Sequence, residues 1–344
     1  MGRYVTGRTV MAGSEQNPQN PQSGAGRRQG PDPSGKDGQE ALLTRPRWSA
    51  VIGSLILGLL FLAASAATWW AGVRTYHGQK FDDWVWNSFD RTYARANALN
   101  RLFANSHLVI GLCGAIVVLS VLVAALRRRW RLILQIGVFG ALAFLVAFGL
   151  KRVLPRPVLD TTISNPQNSA PSGHTALMMA AGVILVMAMP RVLRGLSSLV
   201  ASLLVLLVAF SVISDKWHRP TDVIMAILLI AGLALIVLAF TRGSGMDAPG
   251  KRASSPSLQI IATIMISLGV MMLAATAYMV WQLWPSITVE ALAYTRQVNV
   301  TSMLSMGGSA FLSFGILACM RQATASPLSR AGLVGAPPAP PKEW

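Results

Sequence analysis

The strongest constraint on this chain is a series of apolar runs, most of them close to twenty residues long and almost free of charge. A hydrocarbon layer about 30 Å thick takes roughly 20 residues of helix to cross. Eight runs meet or approach that length: 48–73, 107–126, 132–150, 174–190, 196–214, 223–240, 258–284 and 301–320. The fourth is the shortest, and the count drops to seven if one run lies in the interface. Unbroken apolarity selects helices, because a membrane barrel shows strands of about ten residues with alternating character. The expected class is an all-α integral membrane protein. It has a six-helix core over 45–241 and a C-terminal pair of transmembrane helices over 258–320.

Composition enters here as a check. With 53% hydrophobic and 12% charged residues, the chain lacks the charged surface of a soluble domain of this size. Its net charge of +17 is scattered over short loops, which fits anionic lipid or an anionic substrate and argues against nucleic acid. Cys113 and Cys319 both fall in apolar runs and read as small buried hydrophobes, not as a disulfide framework or zinc site. Residues 1–44 are rich in Gly, Pro, Gln, Ser and Arg, the composition of a disordered tail. Residues 242–257 read as a linker and 321–344 as a second tail.

Basic residues set the orientation. Arg127, Arg128, Arg129 and Arg131 share one short loop, Arg191 and Arg194 another, and Arg242, Lys251 and Arg252 a third. These loops and both termini, including Arg321 and Arg330, are expected in the cytoplasm of a plasma-membrane protein. Segment 74–106 carries Trp84, Trp86, Phe89 and Tyr93, as either an amphipathic interfacial helix or a solvated loop would. Asn299-Val300-Thr301 forms a glycosylation sequon on the outer side. Gly307, Gly308 and Ser309 would let the last helices pack closely, to cover the core or to self-associate.

Three polar islands interrupt the apolar sequence. They are Lys151-Arg152-Val153-Leu154-Pro155-Arg156-Pro157, Ala170-Pro171-Ser172-Gly173-His174 and Lys216-Trp217-His218-Arg219-Pro220-Thr221-Asp222. The second and third are separated by two crossings, so all three are expected on the outer face. Taken singly, His174 and His218 could be helix-capping residues. Together they suggest chemistry. Ser172 suits an N-cap, and Gly173 lets a ligand approach the free N–H groups of a helix start, a natural anion site. Pro220 fits the first helical position and places Asp222 about one turn in, able to reach back to His218. A carboxylate on one imidazole nitrogen fixes the tautomer and leaves the other nitrogen nucleophilic. Lys151 and Arg156 bring cations for phosphate oxygens. The nearby carboxylates Asp160, Asp215 and Asp222 are too few for a two-metal centre, so a route without metal or cofactor is expected.

These residues resemble the type 2 phosphatidic acid phosphatase superfamily, whose motifs are K-x6-R-P, P-S-G-H and S-R-x5-H-x3-D. The second motif stands intact at Pro171 to His174, and His218 and Asp222 supply the H-x3-D half of the third. The resemblance covers roughly the first six spans. It implies hydrolysis of a lipid phosphate or polyprenyl pyrophosphate through a phosphohistidine. His218 would be the nucleophile and Asp222 would orient it. His174 would protonate the leaving alkoxide and then activate water, and Lys151, Arg156, Ser172 and Gly173 would hold the phosphate. Two departures stand out. Lys151 precedes Arg156 by a K-x4-R-P spacing, and Ser211-Val212 occupies the Ser-Arg position, with Arg152, Lys216 and Arg219 as candidate replacements. Transfer of the phosphate to another lipid or sugar, or a catalytically weak binding role, are the alternatives.

Overall fold

The computed structural model describes residues 46–92, 103, 105–159, 162, 166–247, 256–289 and 292–326. The tail expected over 1–44, together with Tyr93, Asp160, Lys251, Arg252 and Arg330, lies outside the described residues. Among these described residues nine α-helices follow in order. They are α1 (Trp48–Val73), α2 (Tyr76–Thr92), α3 (Ser106–Leu126), α4 (Trp130–Val153), α5 (Gly173–Ala188), α6 (Arg191–Ser214), α7 (Pro220–Ala239), α8 (Pro256–Ile287) and α9 (Thr295–Ala325). The described residues contain no strand, and seven of the helices are long and apolar enough to cross a membrane. The chain is an all-α integral membrane protein, as its apolar runs require.

Most helices run past the apolar stretch that marks them, because long cationic side chains reach out of the hydrocarbon while their backbone stays helical. Lys151 and Arg152 lie in the last turn of α4. The exception in length is α5, whose 16 residues span about 24 Å. Most of its residues are buried, so it is enclosed by protein and need not match the lipid thickness. It still runs the depth of the bundle. Ser172 N–H at its start bonds the Asp222 carbonyl at 3.0 Å, and near its far end the Met187 carbonyl accepts from Arg321 at 3.2 Å.

The central helix is α7, with 83% of its apolar window buried against 22% for α1. The two cross closely, since a Cβ on Gly232 would lie 2.9 Å from the Gly58 carbonyl oxygen. The α8–α9 hairpin uses the same device, a Cβ on Gly269 falling 3.0 Å from the Gly308 carbonyl oxygen. Gly308 thus serves packing within the chain, and α9 covers the core by lying on α7, α6 and α2.

Three expectations change. Segment 74–106 does contain a helix, α2, but Trp84, Trp86 and Phe89 are buried against protein instead of lipid, with the Phe89 ring tilted against Phe210 at 6.2 Å. Asn299 is fully buried within α9 and donates to Ser88 Oγ at 3.0 Å, so the sequon is no glycosylation site. Arg321 is also fully buried inside α9, not solvated in a tail.

Candidate active site

The helix directions bring the three islands to one end of the bundle: the end of α4, the start of α5 and the corner between α6 and α7. Backbone and amide bonds join them. Asn168 Nδ2 donates to the Lys151 and Leu154 carbonyls at 3.2 and 3.1 Å, tying the first island to the second. The Ser172–Asp222 bond ties the second to the third. From above, the buried Gln79 of α2 donates to the Pro157 carbonyl at 2.7 Å.

The corner before α7 holds His218. Helix α6 ends in a turn where Lys216, in the left-handed region at φ 58°, gives its N–H to the Ile213 carbonyl. Trp217 N–H closes onto the Val212 carbonyl at 2.9 Å, the pattern of a Schellman cap, and His218 N–H joins it at 3.1 Å. Pro220 then opens α7, which places Asp222 at its third position. His218 Nδ1 stands 3.3 Å from Asp222 Oδ2, the separation the H-x3-D spacing calls for. Oδ2 also accepts from the Arg219 N–H at 3.0 Å and the Ser169 hydroxyl at 2.5 Å. Carboxylate and imidazole are thereby fixed together, and no described residue bonds His218 Nε2. His174, one residue into α5, pairs its Nε2 with Ser106 Oγ at 3.1 Å and packs 5.3 Å from the Trp217 ring. It lies within electrostatic reach of both His218 and Lys151.

The α5 start is open as the sequence suggests. Ser172 is its N-cap, accepting from Thr175 N–H at 3.4 Å, and a Cβ on Gly173 would meet nothing within 4 Å. Arg156 turns inward with Nε and Nη1 buried and without a hydrogen-bond partner. Burial and the neighbouring Arg219 draw its guanidinium below the ordinary range, though arginine keeps its proton in proteins.

Of the three candidate replacement cations, only Arg219 enters the site. It is 1% exposed, donates to Ser169 Oγ at 3.1 Å and lies 5.0 Å over the Trp86 ring. Arg152 and Lys216 are exposed, and Lys216 serves the α6 cap. Lys151 is exposed at the rim. Val212 is buried in the apolar core at 1% exposure and contributes its carbonyl to the cap.

Residues 128–245 match the model of the PAP2 superfamily. That bears out the resemblance carried by the motifs, over about a third of the chain. The PAP2 segment holds α4 to α7 and all three islands. It is narrower than the six spans expected, leaving α1 and all of α3 outside. PAP2 superfamily members are generally phosphatases acting on phosphate esters. No curated protein and no solved structure matches the chain. Among the described residues, no group of three or more His, Cys, Asp or Glu side chains is placed to hold a metal ion.

Side chains from outside the PAP2 segment complete the site, and sequence reading missed them. Ser106 of α3 bonds His174. Asp82 of α2 is fully buried, with Oδ1 accepting from the Thr221 hydroxyl at 3.0 Å and its N–H at 3.3 Å. The short acidic pair Asp82-Asp83 beside aromatics was the available signal, but it reads equally as a solvated face. Burial and then the Asp222 carboxylate push Asp82 from 3.8 up to about 7, against the opposing pull of Arg219, Arg156 and the Thr221 hydroxyl. Between those values the unfolded chain binds fewer protons than the folded one, so Asp82 lowers stability as pH rises from about 4 to about 7. Asp82→Asn keeps an acceptor for Thr221 and removes that slope. Its melting temperature in detergent should stay flatter than the wild type's over this window, and parallel curves would contradict the assignment.

Proposed function

We propose that this chain is a membrane phosphatase acting on a lipid phosphate or polyprenyl pyrophosphate, by way of a phosphohistidine at His218. The observation that carries the reading is the His218–Asp222 pair, 3.3 Å apart, with no described residue on Nε2 and the Arg156 guanidinium within electrostatic reach of Asp222. In the first step the Nε2 lone pair attacks phosphorus while the bond to the lipid oxygen breaks, and His174 gives that oxygen a proton. In the second, water attacks the phosphohistidine, His174 takes a proton from it, the P–N bond breaks and phosphate leaves. Asp222 keeps Nδ1–H in place through both. Arg156, Arg219 and the N–H groups at Gly173 and His174 offset charge on the equatorial oxygens, where preorganised donors contribute most. Lys151 adds positive charge at the rim.

Orientation follows from charge. The turns at Arg127–Arg131 and at Arg191 and Arg194 lie at the opposite end from the histidines, so the positive-inside bias turns the site to the outer face of the plasma membrane. A lipid substrate suits a site at the end of a bundle, where a headgroup can enter while its tail stays in the bilayer.

The test is phosphate release by purified protein from phosphatidate, phosphatidylglycerophosphate and polyprenyl pyrophosphate in the presence of EDTA. Release from at least one, with an acid-labile phosphoenzyme, is the expected result. No release from any of them, or release that the chelator stops, would overturn the proposal.

A further inference from the structure

At the end of the bundle opposite the histidines, four arginines surround one carboxylate. Asp247, 3% exposed, accepts from Arg129 Nη2 and Arg191 Nε at 2.9 Å each, and Arg194 lies 3.5 Å away. Arg321 closes the group from α9, donating to the Met187 and Gly245 carbonyls at 3.2 and 3.0 Å. Arg194 also bonds Gln322 Oε1 at 2.5 Å, and Asp247 N–H bonds the Ala325 carbonyl at 2.8 Å. The knot thereby joins the PAP2 segment to the C-terminal hairpin.

Among the described residues its charge does not balance: four guanidiniums against one carboxylate leave a surplus of three positive charges, since arginine stays protonated even when buried. The other described carboxylates, on α2 and around the α6–α7 corner, lie at the far end. Donors are in surplus too: Arg129 Nη1, Arg194 Nε and Arg321 Nη1 are buried with no hydrogen-bond partner. Although burial alone would raise Asp247, Arg194 and Arg321 hold it well below the usual carboxylate range. Buried charge is tolerated where counter-charge and hydrogen bonds meet it, and Asp247 meets only part.

We propose that this cluster is an anion-binding site for a phosphate group, distinct from the candidate active site and independent of the activity assigned there. Donors converging from the α3–α4 turn, α6 and α9 suit a tetrahedral oxyanion with several acceptor oxygens. The half-buried Arg191 forms its rim. The phosphate is either a free ion or the headgroup of an anionic lipid in the adjoining leaflet, and its binding clamps α9 to the core.

The experiment uses the full chain carrying Arg156→Ala, which weakens phosphate binding at the other end, in nanodiscs. One arm titrates inorganic phosphate into zwitterionic discs, and the other compares zwitterionic discs with discs containing phosphatidylglycerol. A saturable rise in melting temperature is expected in at least one arm: the first identifies a free ion, the second a headgroup. Adding Arg191→Gln should weaken the response about tenfold, as loss of one charge-assisted donor does. Adding Asp247→Asn removes the competing carboxylate and should strengthen it by a similar factor, whereas a purely structural knot would only lose stability. If Asp247→Asn does not fold, the rim variant still decides. No rise in either arm, or the same rise with and without Arg191→Gln, overturns the proposal.

Discussion

His218→Ala is expected to lower phosphate release by roughly 10⁴- to 10⁶-fold, the scale of losing a nucleophile that acts as a unit with its partners. The loss should be chemical and not structural. Asp222 keeps its bonds to the Arg219 N–H and the Ser169 hydroxyl without the imidazole, and the α6 cap uses only the His218 backbone. The variant should therefore purify with wild-type helicity by circular dichroism and take up no label from ³²P-lipid phosphate. His174→Ala removes acid–base assistance alone and should cost about 10²–10⁴-fold. A His218→Ala protein within tenfold of wild type would sink the phosphohistidine mechanism.

Val212→Arg is expected to destroy activity and much of the folded protein. The resemblance to the superfamily puts an arginine there, so one reading is that the wild type is crippled and the substitution restores it. The structure argues otherwise. Val212 is 1% exposed in the apolar core, and a guanidinium there would be a buried charge without a counter-charge, costing about 3–5 kcal/mol. The distortion would also pull on the carbonyl that holds the Trp217 and His218 N–H groups. Arg219 and Arg156 already bring two guanidiniums to the pocket. Yield from membranes, melting temperature and phosphate release on one preparation check this. A rise in activity would mean that the cation position is vacant in the wild type and that Arg219 does not fill it.

Two kinds of information separate along the chain. The apolar runs were legible from sequence because the membrane acts on each segment locally: a run of about twenty residues must satisfy its own backbone and so becomes a helix. The His218–Asp222 contact was legible for a related reason. A proline-initiated turn fixes the distance between a residue and the one four positions later, whatever surrounds it. The Ser172 cap at the start of α5 follows from the same local geometry.

What the sequence could not rank was decided by contacts between distant segments. Arg152, Lys216 and Arg219 were equal candidates to replace the missing arginine. Only packing of the α6–α7 corner against α2 turned Arg219 under Trp86 and left the others in solvent. Asp82 stands 139 residues before the Thr221 it contacts, and Arg321 lies 134 residues beyond the Met187 carbonyl it caps. The sequence by itself determined the helices, the end of the bundle where the histidines meet and the pairing of His218 with Asp222, because these depend on short-range geometry and the solvent. The tertiary structure alone decided which cations enter the site, which carboxylate joins them and how the C-terminal hairpin docks, because burial is set by neighbours that no local pattern names.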